Sequence, residues 1–427
     1  MSIEMILSLS IFIIAYIFIA AEKINKVIVA LAGATVFMLC GFVSQPEAFA
    51  HHIDWNVIFL LIGMMIMVGV IKNTGIFGYI ALFLAKKAKG NPKIILIMLF
   101  FFTGLFSAFL DNVTTVVVTV PIAILIAVEL GISPIPFVLA TAIASNIGGA
   151  ATLIGDPPNL MIGSAAGLSF MDFIVNQAVI VWINMFVCAA VIYLFFRKQM
   201  VVPNERRARI MEFEEKALIT DKGLLIYSVI IFVLFIALLT LQEILGLHTT
   251  TIALISAVLL LLRARKINIE KFINNEIDWN TILFFLGLFV MVGALEETGV
   301  ISFFSSRLLS FTMSNLKLAA VSIIWAAGVA SAFLDNIPFV AAMIPMLNDV
   351  AATIGTEQAR PLWWSFALGA CLGGNGTLIG ATANIIAVGI CKKSNYAISF
   401  WTFTKYGAVI TLISLFLSTI YVLIRYF

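Results

Sequence analysis

The stretch that decides the fold is NIGGAATLIGDPPN, which runs from Asn146 to Asn159 inside a long apolar run. Its glycines and prolines break a helix at this point and leave backbone N–H and C=O groups without partners. Such groups are tolerated at membrane depth only where they line a polar cavity inside the protein. A related stretch, CLGGNGTLIGATAN, runs from Cys371 to Asn384. Each stretch therefore predicts a helix that is interrupted at a binding site.

The composition of the chain places it in a membrane. Of its 427 residues, 62% are hydrophobic and 11% are charged, and the mean hydropathy is +1.13. Soluble domains carry roughly 25% charged residues, so a soluble protein is excluded. The apolar runs approach the length of about 20 residues that a spanning helix needs, and they lack the alternation of barrel strands. We expect an all-α polytopic membrane protein.

Several chemistries lack their sequence signatures. No glycine-rich P-loop is present, which argues against ATP hydrolysis by this chain. The four cysteines have neither disulfide nor metal-ligand spacing. The chain is therefore expected to be neither an enzyme nor a nucleic-acid-binding protein, and to need no cofactor or metal. The cysteines are Cys40, Cys188, Cys371 and Cys391.

The two halves of the chain are repeats of one another. The sequence IDWN at 53–56 returns at 277–280, and SAFLDN at 107–112 returns unchanged at 331–336. Both pairs share an offset of 224 residues, which chance similarity does not explain. The duplication divides the chain into a first repeat, a cytoplasmic linker and a second repeat, at 1–196, 197–222 and 223–427.

The placement of lysine and arginine predicts that the two repeats are inverted. Short basic loops stay on the cytoplasmic side of a membrane. In the first repeat the basic loop Lys23–Lys26 precedes the second span, whereas in the second repeat the basic residues follow the equivalent span. Inverted repeats are a common construction of secondary transporters. Those later basic residues are Arg263, Arg265, Lys266 and Lys271.

The resulting map has about ten spans and two re-entrant hairpins in a prokaryotic plasma membrane. The linker lies inside the cell and both termini lie outside. Each repeat contains one hairpin with an Asp-Asn pair at its tip, and one broken helix. The hairpins are predicted at about 94–126 and 318–350, and the broken helices at about 136–163 and 361–390.

Asp111 and Asp335 are the first candidates for chemistry, because they occupy equivalent hairpin tips. A carboxylate at membrane depth costs roughly 2.5–3.5 kcal/mol on insertion scales, so it usually marks an ion path or a proton relay. The two aspartates are therefore predicted proton carriers. The alternative is that each one caps the helix after its turn, which is a common use of aspartate.

The broken helices supply the other wall of the predicted substrate or ion site. Their amides, hydroxyls and half-helix ends can replace the hydration of a small solute. For the glycines, close helix packing is an equal alternative. Asp156 corresponds to Ala381 in the second repeat, so it breaks the symmetry, and it is either a third titrating group or a cap. The candidates besides the two aspartates are Asn112, Thr115, Asn146, Gly148, Thr152, Asp156, Asn159, Asn336, Asn375, Thr377 and Asn384.

Other polar residues are given structural interpretations. Asp54-Trp55 and Asp278-Trp279 lie where loops enter spans, a common place for tryptophan anchors. The three histidines (His51, His52 and His248) are expected to be structural or solvated, and the linker is expected to be a solvated loop. Cys371 is interpreted as a small packing residue, with a thiol contact to a substrate as the alternative.

The FLDN hairpin tips and the NIGGAATLIGDPPN segment resemble the ion-transporter superfamily. Within it, the chain is similar to the group of arsenical-pump (ArsB-type) membrane proteins, NhaD-type sodium/proton antiporters and the melanosomal P protein. The resemblance implies a homodimer that moves its substrate by an elevator motion. It also implies a scaffold domain, at about 1–90 and 223–315, and a transport domain made of the hairpins and broken helices. Dicarboxylate carriers of the superfamily carry Ser-Asn-Thr at their tips, which this chain lacks.

The leading functional hypothesis is proton-coupled efflux of arsenite or antimonite. The inferred site has acidic and neutral polar groups and no basic side chain at membrane depth. Such a site suits protons, small cations or an uncharged polyhydroxyl solute such as As(OH)3. Sodium/proton antiport is the nearest alternative, followed by an anion carrier or a channel. A further alternative is a membrane anchor for a cytoplasmic ATPase, docked at Arg197–Lys222.

Overall fold

In the computed structural model, which describes residues 2–21, 23–264 and 268–427, the described chain is helical and contains no strand. Arg265 and Lys266, which contribute to the orientation prediction, lie outside the described residues. The helices before the linker are α1 (Ile3–Ala21), α2 (Lys26–Leu39), α3 (Gln45–Glu47), α4 (Trp55–Asn73), α5 (Ile76–Lys87), α6 (Pro92–Ser107), α7 (Asn112–Leu130), α8 (Ile135–Gly149), α9 (Pro157–Ala166), α10 (Phe170–Phe173) and α11 (Val179–Phe196), with π-helical turns at Ala48–His52 and Ile174–Ala178.

The linker and the second repeat continue the series. The helices are α12 (Asn204–Glu212), a 3-10 turn (Glu215–Leu218), α13 (Lys222–Thr240), α14 (Gln242–Leu245), α15 (Thr249–Arg263), α16 (Ile269–Glu276), α17 (Trp279–Glu297), α18 (Val300–Ser314), α19 (Leu316–Phe333), α20 (Asn336–Ile354), α21 (Thr356–Gly373), α22 (Thr382–Lys393) and α23 (Phe400–Tyr426).

Eight helices among the described residues are long and apolar enough to cross a membrane, which agrees with the polytopic all-α prediction. The predicted number of about ten also counts shorter helices. One of these is α2, whose 14 residues extend about 21 Å at a rise of about 1.5 Å per residue. A hydrocarbon core is about 30 Å thick, so such a helix crosses it only together with its flanking residues.

Both predicted hairpins are pairs of helices joined by a turn that ends in an N-capping aspartate. In the first, α6 ends at Ser107 and α7 begins at Asn112 after the cap Asp111. In the second, α19 ends at Phe333 and α20 begins at Asn336 after the cap Asp335. The polar Asp-Asn pair therefore interrupts each apolar run, as the sequence predicts. The re-entry of the hairpins into the membrane stays a prediction.

Both broken helices are interrupted at the glycine-rich stretches. The first break separates α8, which ends at Gly149, from α9, which begins at Pro157. Proline is well suited to this position, because the first turn of a helix leaves its N–H groups unpaired and proline has none. The second break separates α21, which ends at Gly373, from α22, which begins at Thr382.

Helices of the two halves pack against each other in matched pairs. Helix α4 of the first half packs on α15 of the second, and α17 of the second half packs on α2 of the first. Likewise α7 packs on α22, and α20 on α9. These pairs join the halves into one body and bring the two hairpins and the two breaks together. The inverted orientation and the division into scaffold and transport domains stay predictions.

Two features differ from the sequence map. Helices α5 and α18, which follow the Thr-Gly turns at 74–75 and 298–299, are additional to the predicted spans. The linker is folded, because α12 packs against α7 and the 3-10 turn packs against α5. Lys86 Nζ donates to Glu215 Oε2 at 2.7 Å and to the Phe213 carbonyl at 2.9 Å. The linker expected to be a solvated loop therefore also contains helical structure that packs on the first half, while most of its side chains are exposed.

Candidate functional site

The hairpin-tip aspartates both cap the helices that follow them. Asp111 Oδ1 accepts the backbone N–H of Thr114 at 2.8 Å, and Asp335 Oδ1 accepts that of Ile337 at 3.3 Å. An N-cap oxygen satisfies one of the unpaired N–H groups of the first turn. Both residues therefore cap a helix, a role that can coexist with ion handling, and their part in proton transport stays a prediction. The remaining surroundings of the two carboxylates differ, although the residues are equivalent in the repeats.

Asp335 is paired with a lysine. Lys26 Nζ lies 3.0 Å from Asp335 Oδ2 and 3.0 Å from the Thr382 hydroxyl. Thr382 Oγ1 in turn donates to Asp335 Oδ2 at 2.8 Å. The site was expected to have no basic side chain at membrane depth, and in the structure Lys26 contacts one of its two hairpin-tip carboxylates. Lys26 was assigned to a cytoplasmic loop because the sequence does not show that its side chain points toward the second hairpin.

Asp111 instead borders a small acidic cavity of about 50 Å³. Asp156, Glu276 and Asp278 also line this cavity, and its described lining residues include no lysine or arginine. Lys72 Nζ lies 2.8 Å from Glu276 Oε2, which compensates one of the four carboxylates. A cavity of this size has room for water molecules or a small ion. Its electrostatic character suits a cation or a proton.

Asp156 connects the two hairpin tips. Its Oδ1 accepts the side-chain amide of Asn112 at 3.1 Å, and its Oδ2 accepts that of Asn336 at 3.3 Å. Asp156 stands at the cap position of α9 but makes no side-chain capping hydrogen bond. The capping alternative for Asp156 was therefore wrong. The carboxylate is only 1% exposed, so these two amides are an important part of its polar environment.

A chain of buried amides continues from this carboxylate into the second half. The Asn112 amide also donates to Asn146 Oδ1 at 3.2 Å. The Asn146 amide donates to Asn375 Oδ1 and to Asn384 Oδ1, each at 2.9 Å. Buried polar networks of this kind are stable only when their members are satisfied. We call the set Asn112, Asn146, Asp156, Asn336, Asn375 and Asn384 the amide–carboxylate cluster.

Four predicted site residues hold the backbone of the breaks. The hydroxyls of Thr152 and Thr377 donate to the carbonyls of Ala108, directly after α6, and Ala332, in the last turn of α19. Asn159 Nδ2 donates to the Thr152 carbonyl at 2.9 Å, and Asn384 Nδ2 donates to the Thr377 carbonyl at 3.1 Å. The two asparagine contacts satisfy carbonyls that lie within the breaks, and the two threonine contacts tie the breaks to the hairpins.

Two further candidates make no side-chain hydrogen bond to the cluster among the described residues. A Cβ at Gly148 would overlap the carbonyl of Gly104, so Gly148 permits the close crossing of α8 and α6. The Thr115 hydroxyl is buried and has no hydrogen-bond partner among the described residues. The structure therefore favours the packing alternative for Gly148, and it gives the Thr115 hydroxyl no hydrogen bond to the cluster.

A larger cavity of about 510 Å³ lies among the ends of α4, α9, α17 and α20. It is lined by His52, Asp54, Glu296 and Asp349, among others. His52 Nε2 lies 3.2 Å from Glu297 Oε1, so this histidine is paired. Glu47, His52 and Glu297 also place potential metal-ligand atoms within 4.8 Å of one another. This group is separate from the amide–carboxylate cluster.

Sequence reasoning missed Lys26, Glu276 and Thr382, and it gave Asp278 only an anchoring position. Asp278 does cap α17, where Oδ1 accepts the Thr281 N–H at 3.3 Å, but it also lines the acidic cavity. The repeated IDWN sequence was a usable signal, because its second copy contains Asp278 and directly follows Glu276. Nothing in the local sequence indicated Lys26.

Comparison with known proteins identifies the type of molecule. The family model described as citrate transporter, CitMHS, matches residues 16–369. An uncharacterized transporter of Mycobacterium tuberculosis is 40% identical over 426 residues, which cover 99% of each chain. The P protein of Sus scrofa is 30% identical over 492 aligned positions, which cover 96% of this chain and 58% of that protein. These matches agree with the transporter group that the sequence resembles.

Two solved structures share the fold. The YdaH transporter of Alcanivorax borkumensis has a TM-score of 0.60 at 13% identity and covers 90% of this chain and 88% of its own. MtrF of Neisseria gonorrhoeae has a TM-score of 0.59 at 13% identity and covers 92% of this chain and 84% of its own. At this identity the likeness concerns the fold alone. The chain is a multi-pass membrane transporter and not an enzyme.

Proposed function

The chain belongs to the CitMHS citrate transporter family, and from this premise we propose that it is a proton-coupled secondary transporter that exports arsenite or antimonite. The observation that carries the proposal is the acidic cavity beside Asp111, which adjoins the buried amide–carboxylate cluster. Of the two predicted proton carriers, Asp111 borders this cavity and takes the role in this proposal, whereas Asp335 is paired with Lys26.

The chemistry of the cluster supports a small uncharged cargo. Its amide groups offer both donors and acceptors, which match the hydroxyl groups of As(OH)3 or Sb(OH)3. Free citrate carries several negative charges, and the carboxylates of Asp111, Asp156 and Asp278 would repel it. The cargo site and the proton site would then share Asp156, which gives a direct route for coupling.

A second candidate function is sodium/proton antiport. The four carboxylates around the 50 Å³ cavity favour it, because carboxylate oxygens also bind small hard cations. In this version Asp111 and Asp156 alternate between sodium and protons, and the amides complete the coordination. The test below also distinguishes three other possibilities. These are a citrate carrier, a channel and a membrane anchor for an ATPase.

The test uses purified protein in proteoliposomes with a trapped pH-sensitive dye. Arsenite, antimonite, sodium and citrate are added in turn, and cargo movement is measured in parallel. We expect arsenite or antimonite to evoke a proton flux that falls at least tenfold in Asp111→Asn. The variant Glu205→Gln, an exposed charge change in the linker, serves as the control and keeps the flux.

Other outcomes redirect or reject the proposal. A flux evoked by sodium alone selects antiport. A flux evoked by citrate alone rejects metalloid export. Transport that shows no stimulation by cargo on the opposite side of the membrane identifies a channel. Activity that requires an added soluble ATPase identifies an anchor.

A further inference from the structure

Lys26 occupies an electrostatically unfavourable position in its own helix. It is the first residue of α2, whose cap Asn25 accepts the backbone N–H of Val27 at 2.9 Å. The N-terminus of a helix carries a partial positive charge, so a cation there is destabilising unless another group compensates it. The position therefore calls for a nearby anion. The structure supplies one from the second repeat.

The compensating anion is Asp335, which is 309 positions away in the sequence. Lys26 Nζ, Asp335 Oδ2 and Thr382 Oγ1 form a closed triangle with sides of 3.0, 2.8 and 3.0 Å. The side chains of Lys26 and Asp335 are 28% and 15% exposed. The ammonium also lies 5.1 Å from the centre of the Phe284 ring. The pair is thus sheltered, and it joins α2 to the second hairpin and the second broken helix.

Among the described residues, Asp111 has no equivalent arrangement around it. The helix that corresponds to α2 is α15, and it begins with Thr249. The residue that corresponds to Thr382 is Pro157, which has no hydroxyl group. Asp111 itself faces the acidic cavity, whose described lining residues include no lysine or arginine. Asp335 therefore has a lysine as its counter-ion, whereas the cavity beside the equivalent Asp111 has no lysine or arginine among its described lining residues.

We infer that Lys26 is a resident counter-ion that occupies the cation position of Asp335, so that Asp111 is the hairpin-tip carboxylate that exchanges cations. This inference rests on the proposed cation coupling and makes it more specific. An ammonium group can neutralise a carboxylate in the same way as a bound sodium ion or a proton. Lys26 thereby sets the number of exchangeable cations at the two tips to one per chain.

The inference predicts that removal of the ammonium creates a cation site. The probe is radioactive sodium, whose binding to the purified full-length protein is measured at equilibrium, together with proton uptake between pH 8 and pH 5.5. We expect Lys26→Gln to bind one more cation per chain than the wild type. If the wild type binds one cation, this is a twofold increase. The double variant Lys26→Gln/Asp335→Asn should return to the wild-type number.

Two controls separate this effect from damage to the fold. Lys23→Gln makes the same charge change at an exposed residue of the same loop, and it should leave the number unchanged. Lys26→Arg keeps the charge and should also leave it unchanged. Asp335→Asn alone should retain the wild-type number. Elution as a single monodisperse species establishes that each variant is folded.

The outcomes distinguish the inference from the proposed function. If Lys26→Gln gains no cation, the inference is overturned. It is also overturned if Asp335→Asn alone abolishes binding. If the wild type binds no cation but Lys26→Gln binds one, the resident counter-ion is supported and the proposed coupling fails. The inference and the proposed coupling both hold if the wild type binds one cation, Asp111→Asn loses it and Lys26→Gln gains one.

Discussion

Asn146 in the first half donates its side-chain amide to Asn384 in the second half, with 2.9 Å between Nδ2 and Oδ1. A mirrored contact joins Cys371 to Asn159, with 3.3 Å between Sγ and Oδ1. In the two copies of the glycine-rich stretch, Asn146 corresponds to Cys371 and Asn159 to Asn384. The repeats therefore use one contact twice, with an amide donor in one half and a thiol donor in the other.

This difference predicts unequal costs of mutation. Asn146→Ala leaves acceptors on Asn375 and Asn384 and a donor on Asn112 short of a partner, and we expect a loss of about 1–3 kcal/mol in stability. Cys371→Ser keeps a donor and replaces only a weak one, so we expect a change below about 1 kcal/mol. Thermal unfolding in detergent measures both. Equal losses would contradict the special position of Asn146.

Asp156 is the residue whose charge the cluster depends on most directly. In Asp156→Asn, one of the two oxygens becomes an amide donor that faces the donor of Asn112 or Asn336. The substitution also removes the negative charge that a cation would face, and a loss of roughly 1.5–3 kcal/mol, the size of one hydrogen bond to a charged group, would lower the affinity for the coupling cation about tenfold to a hundredfold. Equilibrium sodium binding and proton flux check this. Unchanged binding in a folded Asp156→Asn protein would remove Asp156 from the site.

The sequence predicted those parts of the site that local signals specify. Helix breakers and polar residues inside apolar runs located the hairpin tips at Asp111 and Asp335 and the breaks after Gly149 and Gly373, because nothing else in such runs explains them. The internal repeat then paired the two halves. The same signals gave Asp156 an incorrect alternative as a cap, because Asp before Pro is common at helix starts.

The contacts of Lys26 could not be predicted in this way. The positive charge of Lys26 predicts a cytoplasmic loop. The direction in which its side chain points depends on how α2 packs against the second half. Glu276 was missed for the same reason, since its partner Lys72 is distant in sequence. Pairings between distant segments are set by tertiary packing, and neither periodicity nor a local motif records them.

Substitutions of two helical glycines, one at the close crossing of α6 and α8 and one with free space around it, are predicted to have opposite effects on stability. In Gly148→Ala the new methyl group would overlap the Gly104 carbonyl, and overpacking of this kind costs about 1–3 kcal/mol or more. Gly389, inside α22, has no atom within 4 Å of its Cβ position. Gly389→Ala should therefore be neutral or stabilising by up to about 1 kcal/mol, because alanine favours helix. Thermal unfolding of both variants checks the contrast, which equal shifts would refute.

The docked linker predicts a dependence on pH. The hydrogen bond from Lys86 holds the pKa of the Glu215 carboxyl below its ordinary value of 4.5. A carboxyl with a lowered pKa in the folded state contributes its stabilisation fully above the ordinary value, and that contribution is lost as the pH falls through the lowered value. Hydrogen exchange at 204–218 should therefore be slow at pH 6 and should accelerate, after correction for the intrinsic rate, as the pH falls below about 4.5.

Glu215→Gln should show the faster exchange already at pH 6, whereas Glu214→Gln, an exposed neighbour, should not. Slow exchange in Glu215→Gln at pH 6 would show that the apolar contacts of α12, such as that of buried Ile210, hold the linker without the ion pair.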